Sequence, residues 1–516
     1  MMNRSRFFVR FVSGFSLLLG LAASQDCWAQ IFFEGHTSSD FNDPSNWNPQ
    51  FFPFDNESYL IQDAKTAIFS GGSTTLGGLT VSNDSFGRLR MTGGSLTLLN
   101  DTEPLEVGRE RFPTPKQGDY NNNGIVDAAD YTVWRDTLGG FVENFGDGAD
   151  GDHNGFIEEF DYDFWEGNFG VVTKGGEIIM TANSTITTNG VVIGRRTRGF
   201  LSVGPNALID VKGPFNFSED RRKDLEVGAY GPAYIAIATE PGLEAEGLVI
   251  VEGTVNANDL RINVFGAKGE VRVLPGGRVN LNGALILSHC DTQFFASGCG
   301  LIANPEPLMS SKLSIIGSGG TFEVGRFDPA LSPAPGHDPL TRRDIRSEFP
   351  STATISFTAD AGGVTPIVLV DNSAFPGELT GTAYLDGTVG NVPGTYAGIN
   401  LELNLDAYTG SAPLTLIDAP SDLPGASPAH LVGVFNTPTF LGSRTATVNY
   451  DYLNGNVFLN NFQNGAGAGS RAVPEPTGLT MTLMLGLLTM YSFRAGAKRQ
   501  PARSEDCSSN TFVAGK

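Results

Sequence analysis

The chain has 516 residues, with 34 lysine and arginine residues against 56 aspartate and glutamate residues, which gives a net charge of −22 and a pI near 4.6. This acidity, without any basic stripe, argues against nucleic acid as a partner. Glycine is abundant at 65 residues, yet apolar residues still make up 40% of the chain. The combination predicts a mainly β fold rich in turns, and the length allows two or three domains.

Residues 1–29 have the pattern of a secretory signal peptide. Three arginines lie between Arg4 and Arg10, and an apolar segment runs from Phe11 to Ala23. Small residues at Cys27 and Ala29 mark a cleavage site. Because the apolar segment is short for a membrane span, we expect cleavage after Ala29 rather than an uncleaved anchor.

Two recurring phrases indicate that the body of the chain, which begins at residue 30, is a series of short strands. Apolar and polar residues alternate in the first phrase, as is typical of strands with one apolar face. Short strands separated by glycine at intervals of roughly 20 residues favour a β-solenoid, and a β-sandwich of short hairpins is the alternative. The phrases lie at 87–98, 199–211 and 269–281, and at 105–108, 191–194 and 225–228.

Two segments between these repeats have the pattern of calcium-binding loops. Residues 119–130 and 150–161 both read D-x-[ND]-x-N-G-x-[VI]-[DE]-x-x-D, at an offset of 31 positions (150 − 119). The same aromatic pattern follows each loop, so that Trp134 recurs as Trp165. Ordinary turns do not require acids at these intervals, and the duplication in register therefore predicts calcium binding.

We expect two calcium ions, one in each loop. Calcium takes about six to eight oxygen ligands, which come from loop positions 1, 3, 5, 7, 9 and 12, while glycine at position 6 makes the sharp turn. Position 7 contributes its backbone carbonyl, and the apolar residues at position 8 are expected to pair the two loops across a short β-bridge. The expected ligands are Asp119, Asn121, Asn123, Ile125, Asp127 and Asp130 in the first loop, and Asp150, Asp152, Asn154, Phe156, Glu158 and Asp161 in the second.

A helix is predicted after each loop, at 128–138 and at 158–167. A loop followed by a helix, duplicated and closing with aspartate, resembles the dockerin type I module over residues 117–170. The resemblance implies that calcium folds the module and that a cohesin-like domain is its partner. Many dockerins carry a small hydroxylated pair at loop positions 10 and 11, whereas this chain has Ala128-Ala129 and Glu159-Phe160.

The repeats continue after the predicted module, which therefore reads as an inserted α-helical element. The N-terminal β-repeat region covers 30–116, and its continuation covers 171–304. A proline-rich stretch at 305–350 is predicted to be a linker. Alternating strands then resume at 351–463, which we expect to form a C-terminal β-sandwich-like domain ending in a hairpin.

Side chains that often carry chemistry are scattered through the chain. The five histidines show no metal-ligand spacing, and no G-x-S-x-G or H-E-x-x-H motif occurs. Cys290 and Cys299 either form a disulfide after export or remain as two free thiols. Asp360, Asp371 and Asp386 are the candidates for the carboxylate pair of a glycosidase, although aspartates in an acidic β-rich chain usually mark turns.

The C-terminal residues have the pattern of a second sorting signal. A stalk rich in glycine and alanine spans 464–472, and the triplet Pro474-Glu475-Pro476 precedes an apolar stretch with basic residues after it. Residues 473–499 resemble the PEP-CTERM signal, with 500–516 as a tail. The resemblance implies processing by an exosortase and a protein held at the membrane at least transiently. A plain single-span anchor is the alternative, and it also makes the protein extracellular.

Two classes of function are consistent with these patterns. The first is a non-catalytic, calcium-binding protein of the cell surface or extracellular matrix, with a structural, adhesive or assembly role and a cohesin-like domain or a polysaccharide as partner. The second is a secreted polysaccharide lyase or glycoside hydrolase that docks through its dockerin-like module. We favour the first, because no constellation of catalytic residues supports the second.

Overall fold

The computed structural model is mainly β, with three large sheets that we name A, B and C. Two helices among the described residues lie together between two strands of the sheets. The residues that the structure describes are 31–49, 57–83, 85–99, 105–109, 118–121, 125–142, 148–152, 154–173, 175–181, 183–195, 197–211, 225–229, 246–264, 268–289, 310–326, 344–347, 352–370, 382–385, 398–419, 431–436 and 438–464.

The strands are numbered in chain order, and the strands of each sheet are named in the order in which they are hydrogen-bonded. Sheet A contains β2 (Trp47–Asn48), β1 (Ile31–Phe33), β3 (Ser58–Ile61), β6 (Gly78–Asn83), β9 (Leu105–Arg109), β12 (Val191–Arg195), β15 (Leu225–Ala229), β18 (Leu260–Val264), β21 (Leu285–His289), β24 (Ile345–Ser347), β27 (Ala383–Tyr384) and β30 (Leu431–Val432). Sheet B contains β31 (Thr439–Phe440), β28 (Asn400–Asn404), β25 (Thr352–Thr358), β22 (Ser310–Ile316), β19 (Lys268–Val273), β16 (Glu246–Val251), β13 (Arg198–Val203), β10 (Gly176–Met180), β7 (Gly87–Met91) and β4 (Lys65–Phe69). Sheet C contains β32 (Arg444–Asp451), β33 (Asn456–Asn464), β29 (Leu414–Asp418), β26 (Ile367–Leu369), β23 (Thr321–Val324), β20 (Arg278–Leu281), β17 (Thr254–Ala257), β14 (Leu208–Val211), β11 (Ser184–Thr188), β8 (Gly94–Leu98) and β5 (Ser73–Leu76).

The chain passes through the three sheets in a constant order. From β3 to β31, each strand pairs in parallel with the third strand before or after it, so that a strand of sheet A is followed by one of B and then one of C. The recurring phrases of the sequence occupy equivalent places in this order. The first phrase forms β7 with β8, β13 with β14 and β19 with β20, and the second forms β9, β12 and β15. The prediction of short alternating strands is confirmed.

The core lies between the sheets, where the apolar side chains of successive strands stack on one another. In sheet B, Leu89 is in register with Ile178, which is in register with Leu201. Val249 and Val271 continue the same row. All five side chains are buried. Because parallel strands in register bring the same position of each repeat together, one apolar face per strand is enough to build a continuous core.

The recurring place of glycine in the two phrases follows from a tight corner between sheets A and B. Gly108 has a φ of +74°, and a Cβ added there would lie 2.0 Å from the carbonyl oxygen of Arg198. A Cβ added at Gly199 would lie 2.2 Å from the backbone nitrogen of Gly194. Real Cβ atoms do not approach backbone so closely, and these positions therefore require glycine.

An aromatic cluster closes the N-terminal part of the sheets. The ring of Trp47 makes edge contacts at 5.0 Å with those of Phe33, Phe41 and Tyr59. Its indole Nε1 donates a hydrogen bond of 2.8 Å to the carbonyl oxygen of Phe41. The turn before it contains a short 3-10 helix, Pro44–Asn46. Buried indoles normally find such a partner, and here the bond fixes the turn at the start of the sheets.

Two expectations about the C-terminal half are wrong. The predicted linker at 305–350 contains β22, β23 and β24, which extend all three sheets. The strands of 351–463 do not form a separate sandwich, because β25 to β31 continue the same parallel pairing. Alternation with period two predicts a strand but not its partner, so the sequence pattern did not distinguish the two arrangements. The closing hairpin is confirmed, since β32 and β33 are antiparallel.

Several expected segments lie outside the described residues. These are the signal peptide, the stalk at 464–472 beyond its first residue, and the apolar C-terminal stretch with Pro474, Glu475 and Pro476. Cys290 and Cys299 also lie outside them. In the part of the chain that the structure describes, neither helix is long and apolar enough to cross a membrane.

Candidate metal centre

The two predicted helices are present, and each begins directly after one of the loops. Helix α1 spans Ala128–Thr137 and α2 spans Glu159–Asn168, within one residue of their predicted bounds. Both lie between β9 and β10, where the chain passes from sheet A to sheet B. We call residues 118–173 the helical module. Position 9 of each loop is the N-cap of the helix that follows it.

The closing aspartate of each loop ties the loop to its helix. In the first loop, Asp130 accepts hydrogen bonds of 2.8 Å from the backbone N–H groups of Asn121 and Asp127. In the second loop, Asp161 accepts one of 2.7 Å from the backbone N–H of Glu158. Each carboxylate therefore caps its helix and holds the start of its loop, which explains why an acid is needed at position 12.

A cluster of three carboxylates lies in the second loop. Ligand oxygens of Asp150, Asp152 and Asp161 are all within 4.8 Å of one another, and no other grouping of this kind occurs among the described acidic, histidine and cysteine side chains. Asp150 and Asp161 are buried, whereas Asp152 is exposed. The side-chain Nδ2 of Asn154 lies 2.9 Å from oxygens of Asp152 and of Glu158. The structure thus brings Asp150, Asp152 and Asp161 together, and Asn154 links Asp152 to Glu158.

Burial makes these carboxylates costly to keep charged without a cation. Loss of hydration has the largest influence on the pKa of Asp161 and of Asp130, and it raises both above the usual value. Backbone hydrogen bonds to the two carboxylates lower the pKa but do not offset this. A bound divalent cation would favour the charged form. A set of oxygen donors without nitrogen or sulfur fits calcium rather than a softer metal.

The first loop is described in part. Asp119 is buried and accepts a hydrogen bond of 2.8 Å from Oγ1 of Thr173, a residue that lies outside the loop pattern and was not predicted to contact it. The described part of this loop includes Asn121, Ile125 and Asp127, while Asn123 lies outside the described residues. Position 5 is asparagine in both loops, but position 3 is asparagine in this loop and aspartate in the second. The first loop therefore also offers oxygen donors, but fewer of them are charged.

The backbone pairing of the loops differs from the expectation. Ile125 bridges Val172, and Phe156 bridges Phe141, both antiparallel. The residue that each loop pairs with follows the helix of the other loop. The predicted bridge between the two loops at position 8 is therefore wrong, because the segments leaving the helices occupy the available edges.

The two tryptophans that recur in the sequence connect the loops instead. Trp134 of α1 donates a hydrogen bond of 2.8 Å from its indole Nε1 to the carbonyl oxygen of Glu158, in the second loop. Trp165 of α2 donates one of 2.6 Å to the carbonyl oxygen of Asp127, in the first loop. Their recurrence at the loop offset was the signal in the sequence, although it did not indicate the acceptors of these bonds.

Of the three aspartates considered for a carboxylate pair, Asp360 is the one among the described residues. Asp360 holds a turn, since it accepts hydrogen bonds from the backbone N–H of Ser318 at 2.8 Å and from that of Gly362 at 2.7 Å. The bond from Ser318 is the largest of the influences that lower its pKa. Asp371 and Asp386 lie outside the described residues.

No protein-family model, no curated protein and no solved structure matches the chain. Its function is therefore inferred from its own residues. The most informative likeness is the one inside the chain, between the two loop-and-helix units of the helical module, which share their capping aspartate and their indole bond.

Proposed function

We propose that the protein is a non-catalytic, calcium-binding protein of the cell surface or extracellular matrix, with a structural or assembly role. The observation that carries the proposal is the cluster of Asp150, Asp152 and Asp161, whose oxygens lie within 4.8 Å of one another inside a loop of the calcium-binding pattern. A flexible loop of oxygen donors that includes carboxylates suits calcium. The first loop has the same pattern, and two ions are proposed.

We infer that the three sheets form a β-solenoid. The inference is supported by the parallel pairing of every third strand and by the rows of equivalent apolar side chains in the core. In a solenoid each repeat contacts its neighbours, and the stack presents an extended surface. Such a surface suits adhesion or assembly.

The helical module is proposed to be dockerin-like and to bind a protein partner such as a cohesin-like domain. Exposed apolar side chains are concentrated in this part of the chain, which supports the proposal because such patches often mark sites of association. One of them, Phe160, lies at loop position 11. The exposed apolar side chains of the module are Leu138, Phe141, Phe156, Phe160, Phe164, Phe169, Val171 and Val172.

The proposed location outside the cell explains why calcium would be bound permanently. The signal-peptide pattern at 1–29 and the sorting pattern at 473–499 both direct the chain to the exterior. Extracellular calcium modules bind at about 10⁻⁴–10⁻³ M. Loops with affinities in this range, placed where calcium is plentiful, act as a structural clamp rather than as a sensor.

Calorimetric titration of the full chain with millimolar calcium chloride tests the calcium proposal. Substitution of Asp119→Ala together with Asp150→Ala removes the position 1 ligand of each loop, and calcium uptake is expected to be lost. The matched control is Asp136→Ala with Asp163→Ala, which removes two exposed carboxylates from the same helices and leaves the loops intact. Unchanged uptake in the first variant would contradict the proposal.

A further inference from the structure

The carbonyl groups that accept the two indole bonds sit at the same place in both loops. Glu158 and Asp127 are at loop position 9, where each is a predicted calcium ligand and also the N-cap of a helix. The donor in each case belongs to the helix that follows the other loop. The arrangement is reciprocal, so neither loop is held only by its own helix.

We propose that Trp134 and Trp165 are positioning residues that couple the two calcium loops, so that calcium bound in one loop raises the affinity of the other. The inference rests on the proposed calcium binding. It concerns the relation between the two sites rather than their existence. The coupling runs through backbone carbonyls and does not require any contact between the ions.

The step from the second loop to the first begins at Glu158. Calcium in the second loop fixes this residue, and its carbonyl then offers a fixed acceptor to the indole of Trp134. That bond orients α1, whose first turn carries Asp130. Because Asp130 closes the first loop and holds its amides at 2.8 Å, the first loop is ordered before its own ion arrives.

The reverse step uses the equivalent groups. Calcium in the first loop fixes Asp127, and its carbonyl accepts the 2.6 Å bond from Trp165 on α2. The first turn of α2 carries Asp161, which closes the second loop. A third link acts in the same direction, since the phenol of Tyr120 in the first loop donates to the carbonyl oxygen of Asp161.

The physical basis of the coupling is the cost of ordering. A loop that must be ordered when it binds its ion loses conformational entropy, and an ion in the other loop has already met part of that cost. The second ion then binds more tightly. Coupling between sites is typically about 5- to 150-fold, and two partly buried hydrogen bonds place this pair on the order of tenfold.

The coupling is measured by calorimetric titration of the full chain with calcium chloride. The natural chain gives both binding constants. A variant with Asp150→Ala and Asp152→Ala, which silences the second loop, gives the affinity of the first loop alone. The coupling is the affinity of the first loop when the second loop is occupied, divided by its affinity in this variant. We expect a ratio on the order of ten in the natural chain.

The tryptophans are tested by Trp134→Phe with Trp165→Phe, first together and then singly, each measured both with the second loop intact and with it silenced. Phenylalanine keeps an aromatic ring but has no N–H to donate. We expect the ratio to fall to about one in the double variant and to an intermediate value in each single variant. A merely structural role would lower both affinities and leave the ratio unchanged. The matched control is Trp47→Phe, which removes an indole bond of similar length, 2.8 Å, from the aromatic cluster and should not change the ratio.

The outcomes separate this inference from the proposed function. If the natural chain takes up no calcium, both fail. If it binds two ions with a ratio of one, calcium binding stands and the coupling is refuted, without need of any variant of the tryptophans. A double variant that forms its helices in saturating calcium, as seen by circular dichroism, and keeps a tenfold ratio would also refute the role of the indoles.

Discussion

In the sheets, rows of apolar side chains from successive strands fill a continuous interior, whereas few apolar side chains are buried among the described residues of the helical module. The buried apolar side chains that pack together in the module are Tyr120, Trp134, Ala149 and Ile157. Its other buried groups include Asp119, Asp130, Asp150 and Asp161. The difference shows two sources of stability in one chain. Burial of hydrocarbon holds the sheets, and we propose that a bound cation balances the buried carboxylates of the module.

The largest expected effect comes from removing a stacked side chain of the sheets. Leu201 in β13 is fully buried between Ile178 and Val249. Leu201→Ala leaves a cavity in the row, which we expect to lower the free energy of unfolding by about 2–5 kcal/mol. Urea unfolding followed by circular dichroism, with and without calcium, measures the loss. The loss should be the same in both conditions.

The control for this substitution lies one residue away. Ser202 is on the opposite face of β13 and is partly exposed, so Ser202→Ala should change the free energy of unfolding by about 0.5 kcal/mol or less. A similar loss from both substitutions would mean that the inner row of sheet B is not the main support of the fold.

The second expected effect comes from removing calcium, and we expect it to be confined to the helical module. Removal of calcium with a chelator takes away binding energy worth about 1.4 kcal/mol per site at a calcium concentration ten times the dissociation constant. Hydrogen exchange read by mass spectrometry should then show faster exchange of amides in α1 and α2, while the strands of sheets A, B and C keep their protection.

Uniform loss of protection on chelation would contradict the comparison, because the sheets would then also depend on calcium. The Asp119→Ala and Asp150→Ala variant provides the control. Its module should exchange rapidly with or without the chelator, and its sheets should remain protected as in the natural chain.

The sequence predicted the strands better than their partners. Alternation identified β7, β13 and β19, and the glycine phrases even marked the corner at Gly108 and Gly199. Pairing is a property of residues far apart in the chain, and a period of two is the same in a sandwich and in a parallel stack. The predicted linker at 305–350 failed for a related reason, since prolines and polar residues in connections hid the three strands among them.

For the candidate metal centre, the sequence predicted the two helices and a grouping of acids in the second loop, but not the contacts between the loops. Acids at intervals of two positions can be read directly from one loop, and the structure gathers Asp150, Asp152 and Asp161 as expected. The indole bonds of Trp134 and Trp165 cross from one repeat to the other. Spacing within a repeat does not reveal a bond of that kind, although the recurrence of tryptophan marked its donors.

The smallest expected effect sharpens the comparison between two aspartates that accept similar backbone bonds. Asp161 in the module is buried, and burial raises its pKa. Asp360 at the edge of the sheets holds a turn near the surface, and the bonds from Ser318 lower its pKa below the ordinary value of 3.8. A lowered pKa in the folded state means that the charged form contributes stability above pH 3.8, and the contribution is lost as the pH falls through the lowered pKa.

We expect Asp360→Asn to destabilise the sheets by at most about 1 kcal/mol at neutral pH, since exposed charges interact weakly. Thermal unfolding of both chains across the acidic range measures the difference, which should decline below pH 3.8 and vanish once the pH has fallen through the lowered pKa. A difference that grew toward acidic pH would mean that the folded state favours the protonated carboxyl, as it does for Asp161, and that exposure does not separate the two sites.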